Sequence, residues 1–171
     1  MSLPISTILG AALPVFILLG LGFGLRRFKV LSQEAESSLL KVVVSVFYPC
    51  LFLAYIIGNP ALKAAPNLVA APLVGFFTVS GGFLVAYVVA RGMGLKRGSG
   101  LRTFSFCNGI YNYGYIPIPV IMVLFGDRET MGVLLVHNVG VEAAIWTVGI
   151  MLLSGHFRKG ALKQLINPVV L

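Results

Sequence analysis

The sequence predicts an all-helical integral membrane protein with five transmembrane helices, of which the fourth is broken at prolines. Of its 171 residues, 58% are hydrophobic and 11% are charged, whereas a soluble domain has about 25% charged residues. The mean hydropathy is +0.96. The apolar runs are continuous, unlike the alternating strands of a membrane barrel. These features exclude a soluble single domain, a disordered chain and a disulfide-stapled scaffold.

Five apolar windows are long enough to cross a membrane, which takes roughly 20 residues for about 30 Å of hydrocarbon. The first is expected to be a retained helix rather than a signal peptide, because its positive charges follow the apolar run. Residues 1–157 are therefore predicted to hold five spans, and 158–171 a cytoplasmic linker with the start of a sixth span. The windows are 4–25, 37–57, 66–90, 103–125 and 130–155.

The basic residues alternate between the two sides of the predicted membrane. Lys63 and Arg128 lie on one side, and the other eleven of the thirteen lie on the opposite side. Because cytoplasmic loops are rich in Lys and Arg, we expect a multi-pass protein of the cell (inner) membrane with its N-terminus outside. The net charge of +8 thus indicates a lipid bilayer and no nucleic acid. The eleven are Arg26, Arg27, Lys29, Lys41, Arg91, Lys96, Arg97, Arg102, Arg158, Lys159 and Lys163.

The fourth window carries polar and helix-breaking residues in its middle. Pro117 and Pro119 remove backbone donors, and Gly109 and Gly114 add conformational freedom. Backbone groups freed at this depth need protein or water partners, and such breaks form the binding sites of secondary transporters. The alternative is a proline kink that only shapes helix packing.

The break predicts a binding site for a carboxylate. A half-helix starting near Pro119 would leave N–H groups from Val120 onward facing the break, where the helix dipole favours an anion. Side-chain amides and tyrosines can add donors and aromatic walls. The predicted substrate-binding residues are Asn108, Asn112, Tyr113, Gly114, Pro117, Pro119 and Val120.

The stretch from Asn112 to Pro119, followed by Leu124-Phe125-Gly126, resembles the fourth-span motif of the auxin efflux carrier family. That motif has an asparagine, a glycine–aromatic pair, a proline and an apolar run ending in Phe-Gly. The family includes plant auxin exporters and bacterial carriers often labelled malonate transporters. The resemblance extends over the whole chain, and Asn112 and Pro119 match the asparagine and crossover proline. The sequence departs from the family at Pro117, where glycine is more common.

The resemblance implies a ten-span carrier made of two inverted five-span repeats, whose broken fourth helices cross beside an organic anion. The implied partners are a small organic anion, the lipid bilayer, a missing second repeat or second chain, and a second copy in a homodimer. Two other functions stay open. One is a sodium–bile acid symporter-like carrier, and the other is a membrane scaffold or ligand-binding subunit that moves nothing.

Glu142 lies near the middle of the fifth window, with His137 a little over one turn earlier. A carboxylate at this depth costs a few kcal/mol, and an intramembrane acid and imidazole are the usual groups of proton pathways. We therefore predict proton coupling for Glu142 and His137. The alternative is structural hydrogen bonding to a neighbouring helix or to freed backbone of the fourth span.

No catalytic residue, metal site or bound cofactor is predicted. The two cysteines and two histidines do not have metal-ligand spacing, and no nucleophile lies in a catalytic frame. We expect a protein that is not an enzyme and needs no cofactor, with transport coupled to protons or to the membrane potential.

Overall fold

The computed structural model describes residues 5–155, and every regular element within that range is helical. The prediction of an all-helical fold is therefore confirmed for the described residues, whereas the five-span repeat and the break at prolines stay predictions. The predicted linker and sixth span at 158–171, with Arg158, Lys159 and Lys163, lie outside them. Within the described range the chain divides into two compact units, 5–62 with 114–132 (the first unit) and 63–113 with 133–155 (the second unit).

The first unit begins with helix α1, Ile5–Arg27, whose last turn carries Arg26 and Arg27. Basic side chains there complement the negative end of the helix dipole. A turn leads to α2, Gln33–Val42, where the Ser32 hydroxyl accepts from the Ala35 N–H at 3.2 Å. This bond satisfies one of the unpaired donors at a helix start.

Helix α2 continues through a π-helical turn, Val43–Phe47, into α3, Tyr48–Ile56. The Tyr48 N–H donates to the Val43 carbonyl, five residues earlier. Pro49 follows directly and has no N–H to donate to the preceding turn, so the helix widens in front of it. Together these pieces form one apolar helix from Gln33 to Ile56.

A buried asparagine organises the loop after α3. Asn59 is 2% exposed, and its Nδ2 donates to the carbonyls of Tyr55 and Arg128, both at 2.9 Å. Its Oδ1 accepts from the Ala61 N–H at 3.0 Å, and the Arg128 guanidinium donates to the Ile57 carbonyl at 2.7 Å. The loop, which includes the 3-10 turn Pro60–Lys63, is thereby tied to residues 128–129.

The second unit is built on the long helix α4, Ala65–Gly92, against which α5, Leu101–Gly109, packs. Gly82 and Gly109 meet backbone to backbone, because a Cβ on Gly82 would overlap the Gly109 carbonyl. Gly75 and Gly140 make similar approaches to the backbone of His137 and Pro72. Small residues of this kind let membrane helices pack closely.

Helix α7, Arg128–Ala144, continues through a π-helical turn, Ile145–Gly149, into α8, Ile150–Ser154. The Thr147 hydroxyl donates to the Ala143 carbonyl at 2.5 Å and so competes for the acceptor that an α-helical turn would use. Gly149 gives room to the stacked rings of Phe83 and Phe106, whose centroids are 5.6 Å apart. The buried cluster of this unit is Val79, Phe83, Val141 and Ala144.

Four helices of the described chain are long and apolar enough to cross a membrane. They occupy the positions of the first, second, third and fifth predicted windows. The fourth window instead contains two short helices, α5 and α6, the latter at Pro117–Leu124. The four long helices are Ile5–Arg27, Gln33–Ile56, Ala65–Gly92 and Arg128–Ser154.

Candidate functional site

Regular helical structure stops between α5 and α6. Helix α5 ends at Gly109, Ile110 is extended with φ −95° and ψ 126°, and residues 110–116 are not helical. Gly109 lies against the backbone of Phe83 and has no space for a side chain. The residues of this stretch (the non-helical segment, 110–116) must therefore find hydrogen-bond partners outside a helix.

Helix α6 starts at Pro117, two residues before the start expected from the sequence. The Val120 N–H donates to the Ile116 carbonyl at 3.2 Å, and the Ile118 N–H donates to the Gly114 carbonyl at 3.0 Å. Pro117 and Pro119 have no N–H at all. The expectation that the Val120 amide faces the break unpaired is therefore wrong, since an anion there would have to displace an existing bond.

Two side chains of α7 bind the second-unit end of the non-helical segment through Tyr113. The Asn138 side chain, 5% exposed, donates from Nδ2 to the Tyr113 carbonyl at 3.0 Å. The Tyr113 hydroxyl donates to Glu142 Oε1 at 2.5 Å. Asn138 and Glu142 are four residues apart and lie on one face of the helix, so they bind the backbone and the side chain of the same residue.

Glu142 has a second neutral donor on its other oxygen. The indole Nε1–H of Trp146, four residues after Glu142, donates to Oε2 at 3.1 Å. Among the described residues, no basic side chain forms an ion pair with this carboxylate. Both of its oxygens are therefore stabilised by neutral hydrogen-bond donors and not by a cation.

The second predicted proton-coupling residue, His137, contacts a different tyrosine. The Tyr111 hydroxyl lies 3.1 Å from His137 Nε2, and His137 Nδ1 lies 3.3 Å from Asn138 Oδ1. Because Asn138 Oδ1 can only accept, the neutral imidazole that fits carries its hydrogen on Nδ1 and accepts the Tyr111 hydroxyl at Nε2. The rings of Tyr111 and Tyr113 touch edge to face, with centroids 6.3 Å apart.

This group of side chains lies near the middle of an apolar helix. Arg128–Ser154 has 27 residues, so Glu142 lies about 21 Å along a helix about 40 Å long. Tyr113, bonded to Glu142, lies at the same level. The second unit thus presents hydroxyl, amide, imidazole and carboxyl groups halfway along a helix that is long enough to span a membrane.

The other predicted substrate-binding residues are divided between the two units. Asn108 donates to the Phe104 carbonyl of its own helix at 2.9 Å, and Asn112 is exposed in the second unit. In the first unit Gly114 is buried, with the Tyr48 hydroxyl 3.6 Å from where its Cβ would lie. A substrate role for these residues, and for Pro117, Pro119 and Val120, stays a prediction.

The sequence did not identify Trp146 as a neighbour of Glu142 in the second unit, nor Tyr48 as a neighbour of Gly114 in the first unit. Trp146 could have been found, because it lies four residues after the intramembrane acid on the same helical face. Tyr48 gave no such signal, since its contact with Gly114 depends on tertiary structure. Within residues 5–155, no group of three or more His, Cys, Asp and Glu side chains could hold a metal ion.

The four long apolar helices of residues 5–155 are typical of a multi-pass membrane protein. Comparison with known proteins identifies the class further. A family model described as "Membrane transport protein" matches residues 7–166, so the chain belongs to this family of membrane transporters. The resemblance to auxin efflux carriers is thereby confirmed.

The chain is also similar to an uncharacterized transporter of Methanothermobacter thermautotrophicus. The two are 28% identical over 142 residues, which is 82% of this chain and 45% of the relative. The chain thus spans less than half the length of that relative. No solved structure matches the chain.

Proposed function

We propose that the protein is a secondary carrier for a small organic anion such as a carboxylate, and that it works by alternating access around the non-helical segment. The observation that carries this proposal is the attachment of Tyr113 to Asn138 and Glu142. It connects an interrupted stretch of backbone to the middle of a helix long enough to span a membrane. A transporter that binds its substrate at mid-depth needs polar groups at this level.

In this proposal two side chains of the non-helical segment, Asn112 and Tyr113, bind the anion. The Tyr113 hydroxyl and the Asn112 amide are hydrogen-bond donors, which suit a carboxylate oxygen. Asn138 fixes the Tyr113 carbonyl, so the Tyr113 ring leaves the backbone from a defined point. The first-turn N–H groups of Ile118 and Val120 in α6 already have backbone acceptors and are not part of this proposal.

We also propose that a second five-span repeat completes the carrier, with the fourth predicted window as a broken fourth span. The coverage of only 45% of the transporter relative supports this proposal. The exposed apolar side chains of α1 and of the helix Gln33–Ile56 also support it. In the most apolar 18 residues of each helix, 6% and 0% of the residues are buried in the chain alone. The second repeat would belong to the same polypeptide or to a second copy, in a cell membrane with the N-terminus outside.

Transport in inverted membrane vesicles from cells that produce the protein tests the main proposal. Uptake of radiolabelled acetate, malonate and citrate is compared with uptake of a radiolabelled amine. We expect accumulation of at least one carboxylate, and a loss of about tenfold or more in Asn112→Ala, because a donor to the anion is removed. Tyr115→Phe is the matched control, since Tyr115 is 79% exposed.

Three outcomes would contradict the proposal. Accumulation of the amine and of no carboxylate would overturn the anion specificity. Strict dependence on sodium would indicate the bile acid symporter-like alternative. Carboxylate binding to the purified protein without flux in any vesicle would indicate the non-transporting alternative.

A further inference from the structure

We propose that the anion binds together with one proton, because protonation of Glu142 makes the hydroxyl hydrogen of Tyr113 available to the substrate. This inference rests on the proposed carrier function and deepens it, since it assigns a co-substrate to the same site. It combines two facts about the second unit: Tyr113 lies in the non-helical segment, and its hydroxyl is bonded to the intramembrane carboxylate.

A single hydrogen lies between the Tyr113 hydroxyl and the ionised carboxylate of Glu142. A tyrosine hydroxyl has one hydrogen, and an ionised carboxylate can only accept. In the bond from the Tyr113 hydroxyl to Oε1 at 2.5 Å, this hydrogen is therefore directed at Glu142. As long as the carboxylate is ionised, the same hydrogen is not available to an anion, and the negative charge of Glu142 repels the anion.

Protonation of Glu142 changes the direction of its hydrogen bond with Tyr113. A proton taken from water forms an O–H bond at Oε1 and neutralises the carboxylate. The new O–H donates to the Tyr113 oxygen, so the hydrogen bond persists with its direction reversed. The Tyr113 hydrogen can then rotate toward a substrate oxygen, while Trp146 continues to donate to Oε2. Hence one proton removes a negative charge and supplies one donor.

Other titratable groups of the second unit could in principle be the proton acceptor that controls the Tyr113 hydrogen. Apart from Tyr113, no titratable side chain of the second unit within residues 5–155 forms a hydrogen bond with Glu142. His137 is paired with Tyr111 and Asn138, and Arg102 donates to the Ser154 carbonyl at 3.2 Å. The remaining groups are Tyr87 and Arg91 on α4 and Cys107 on α5. Glu142 is therefore the group whose protonation state acts directly on Tyr113.

Trp146 allows the proton site to be tested without any substrate. It is the single tryptophan of the chain, and its indole N–H is bonded to Glu142. The emission of the purified protein in lipid nanodiscs is followed from about pH 4 to about pH 9. We expect a one-proton change in emission that is lost in Glu142→Gln and kept in the matched control Glu129→Gln, whose side chain lies at the exposed start of α7. No change in the unsubstituted protein, or an unaltered change in Glu142→Gln, would overturn the inference.

Tyr113→Phe then tests the link to the anion. Binding of acetate, malonate and citrate is measured by calorimetry at several pH values. On the alkaline side of the fluorescence change, we expect the affinity to rise about tenfold per unit decrease in pH, as for uptake of one proton. Tyr113→Phe should keep the fluorescence change but lose most of this slope, whereas a structural clamp alone would give weaker binding with the slope intact.

The two proposals fail in different ways. If no carboxylate binds at any pH, the carrier proposal fails, whatever the fluorescence shows. If a carboxylate is transported but its affinity does not depend on pH, the proton inference fails and the carrier proposal stands.

Discussion

At the scale of single residues, buried side chains that connect distant backbone groups determine the local structure. Asn138 fixes Tyr113, and Asn59 joins the loop after α3 to residues 128–129. Both asparagine side chains are buried and donate to backbone carbonyls of a distant segment. Such groups are costly when they lose a partner, because no water replaces it.

Replacement of Asn59 by alanine should therefore destabilise the protein. The carbonyls of Tyr55 and Arg128 and the N–H of Ala61 would lose their partner, and we expect a loss of about 1–3 kcal/mol. Heating in detergent followed by fluorescence-detected size-exclusion chromatography measures the change. Gln33→Ala, at an exposed position, serves as the control, and equal thermal midpoints for the two variants would contradict the expected role of Asn59.

The residues of the candidate site were only partly predictable for a physical reason. Glu142 stands out because a carboxylate in an apolar run needs a compensating partner. The identity of that partner depends on which side chains the fold brings within about 3 Å. The role of Trp146 could be inferred from helical spacing, whereas the role of Tyr113 as the hydrogen-bond donor could not.

At the scale of helices, α4 and α5 depend on the absence of side chains at their contact. A Cβ on Gly82 would overlap the Gly109 carbonyl, whereas nothing lies within 4 Å of a Cβ on the neighbouring Gly81. We expect Gly82→Ala to destabilise the protein by about 1–3 kcal/mol through overpacking. Gly81→Ala should be neutral or stabilising by up to about 1 kcal/mol, because alanine favours the helix.

Thermal unfolding of the two glycine variants in the same detergent checks this prediction. The substitutions are identical and adjacent in one helix, so differences in expression or in helix propensity cancel. A lower thermal midpoint for Gly81→Ala than for Gly82→Ala would show that the close approach does not limit packing.

The start of α7 should respond to acid. The backbone N–H and the hydroxyl of Thr130 donate to the Asp127 carboxylate at 2.6 and 2.9 Å, and these bonds lower the pKa of Asp127 below its usual 3.8. The ionised form is thus favoured in the folded protein. The stabilisation is present above the unfolded pKa and is lost as the pH falls through the lower, folded pKa.

Asp127→Asn separates the cap from the charge, because asparagine still accepts the Thr130 N–H but does not titrate. We expect the variant to lose less stability than the unsubstituted protein when the pH falls below about 4. Thermal midpoints measured in parallel at neutral and acidic pH give this comparison. Parallel pH curves for the two proteins would argue against a role of the carboxylate.

At the scale of the whole molecule, the fold class was predictable because composition and run length are direct consequences of a membrane environment. Residues 110–116 in the fourth window are non-helical, but a helix break caused by Pro117 and Pro119 stays a prediction. The boundaries of the non-helical segment could not be predicted from the sequence. The start of α6 depends on the carbonyls of Gly114 and Ile116, which accept from the N–H groups of Ile118 and Val120. The glycine contacts between helices likewise depend on which faces meet.

The distribution of charge predicts the orientation in the membrane. Lys63 and Lys96 lie beyond opposite ends of α4, so they should be on opposite sides. We expect Lys63→Cys, in a background without Cys50 and Cys107, to react in intact cells with a maleimide that cannot cross the membrane. Lys96→Cys should react only after the cells are opened, and the reverse pattern would place the N-terminus inside.

The contact between Gly82 and Gly109 has a mechanical consequence for a carrier. With backbone resting on backbone, neither glycine can slide past the other without a carbonyl striking the main chain. We therefore expect any movement of the tyrosine-bearing stretch to begin after residue 109, and such a movement would have to separate Ile110 from the buried cluster of the second unit. Asn138 and Glu142 bind Tyr113 four residues after Gly109, so the loss of these bonds should release the part of the stretch that belongs to the second unit.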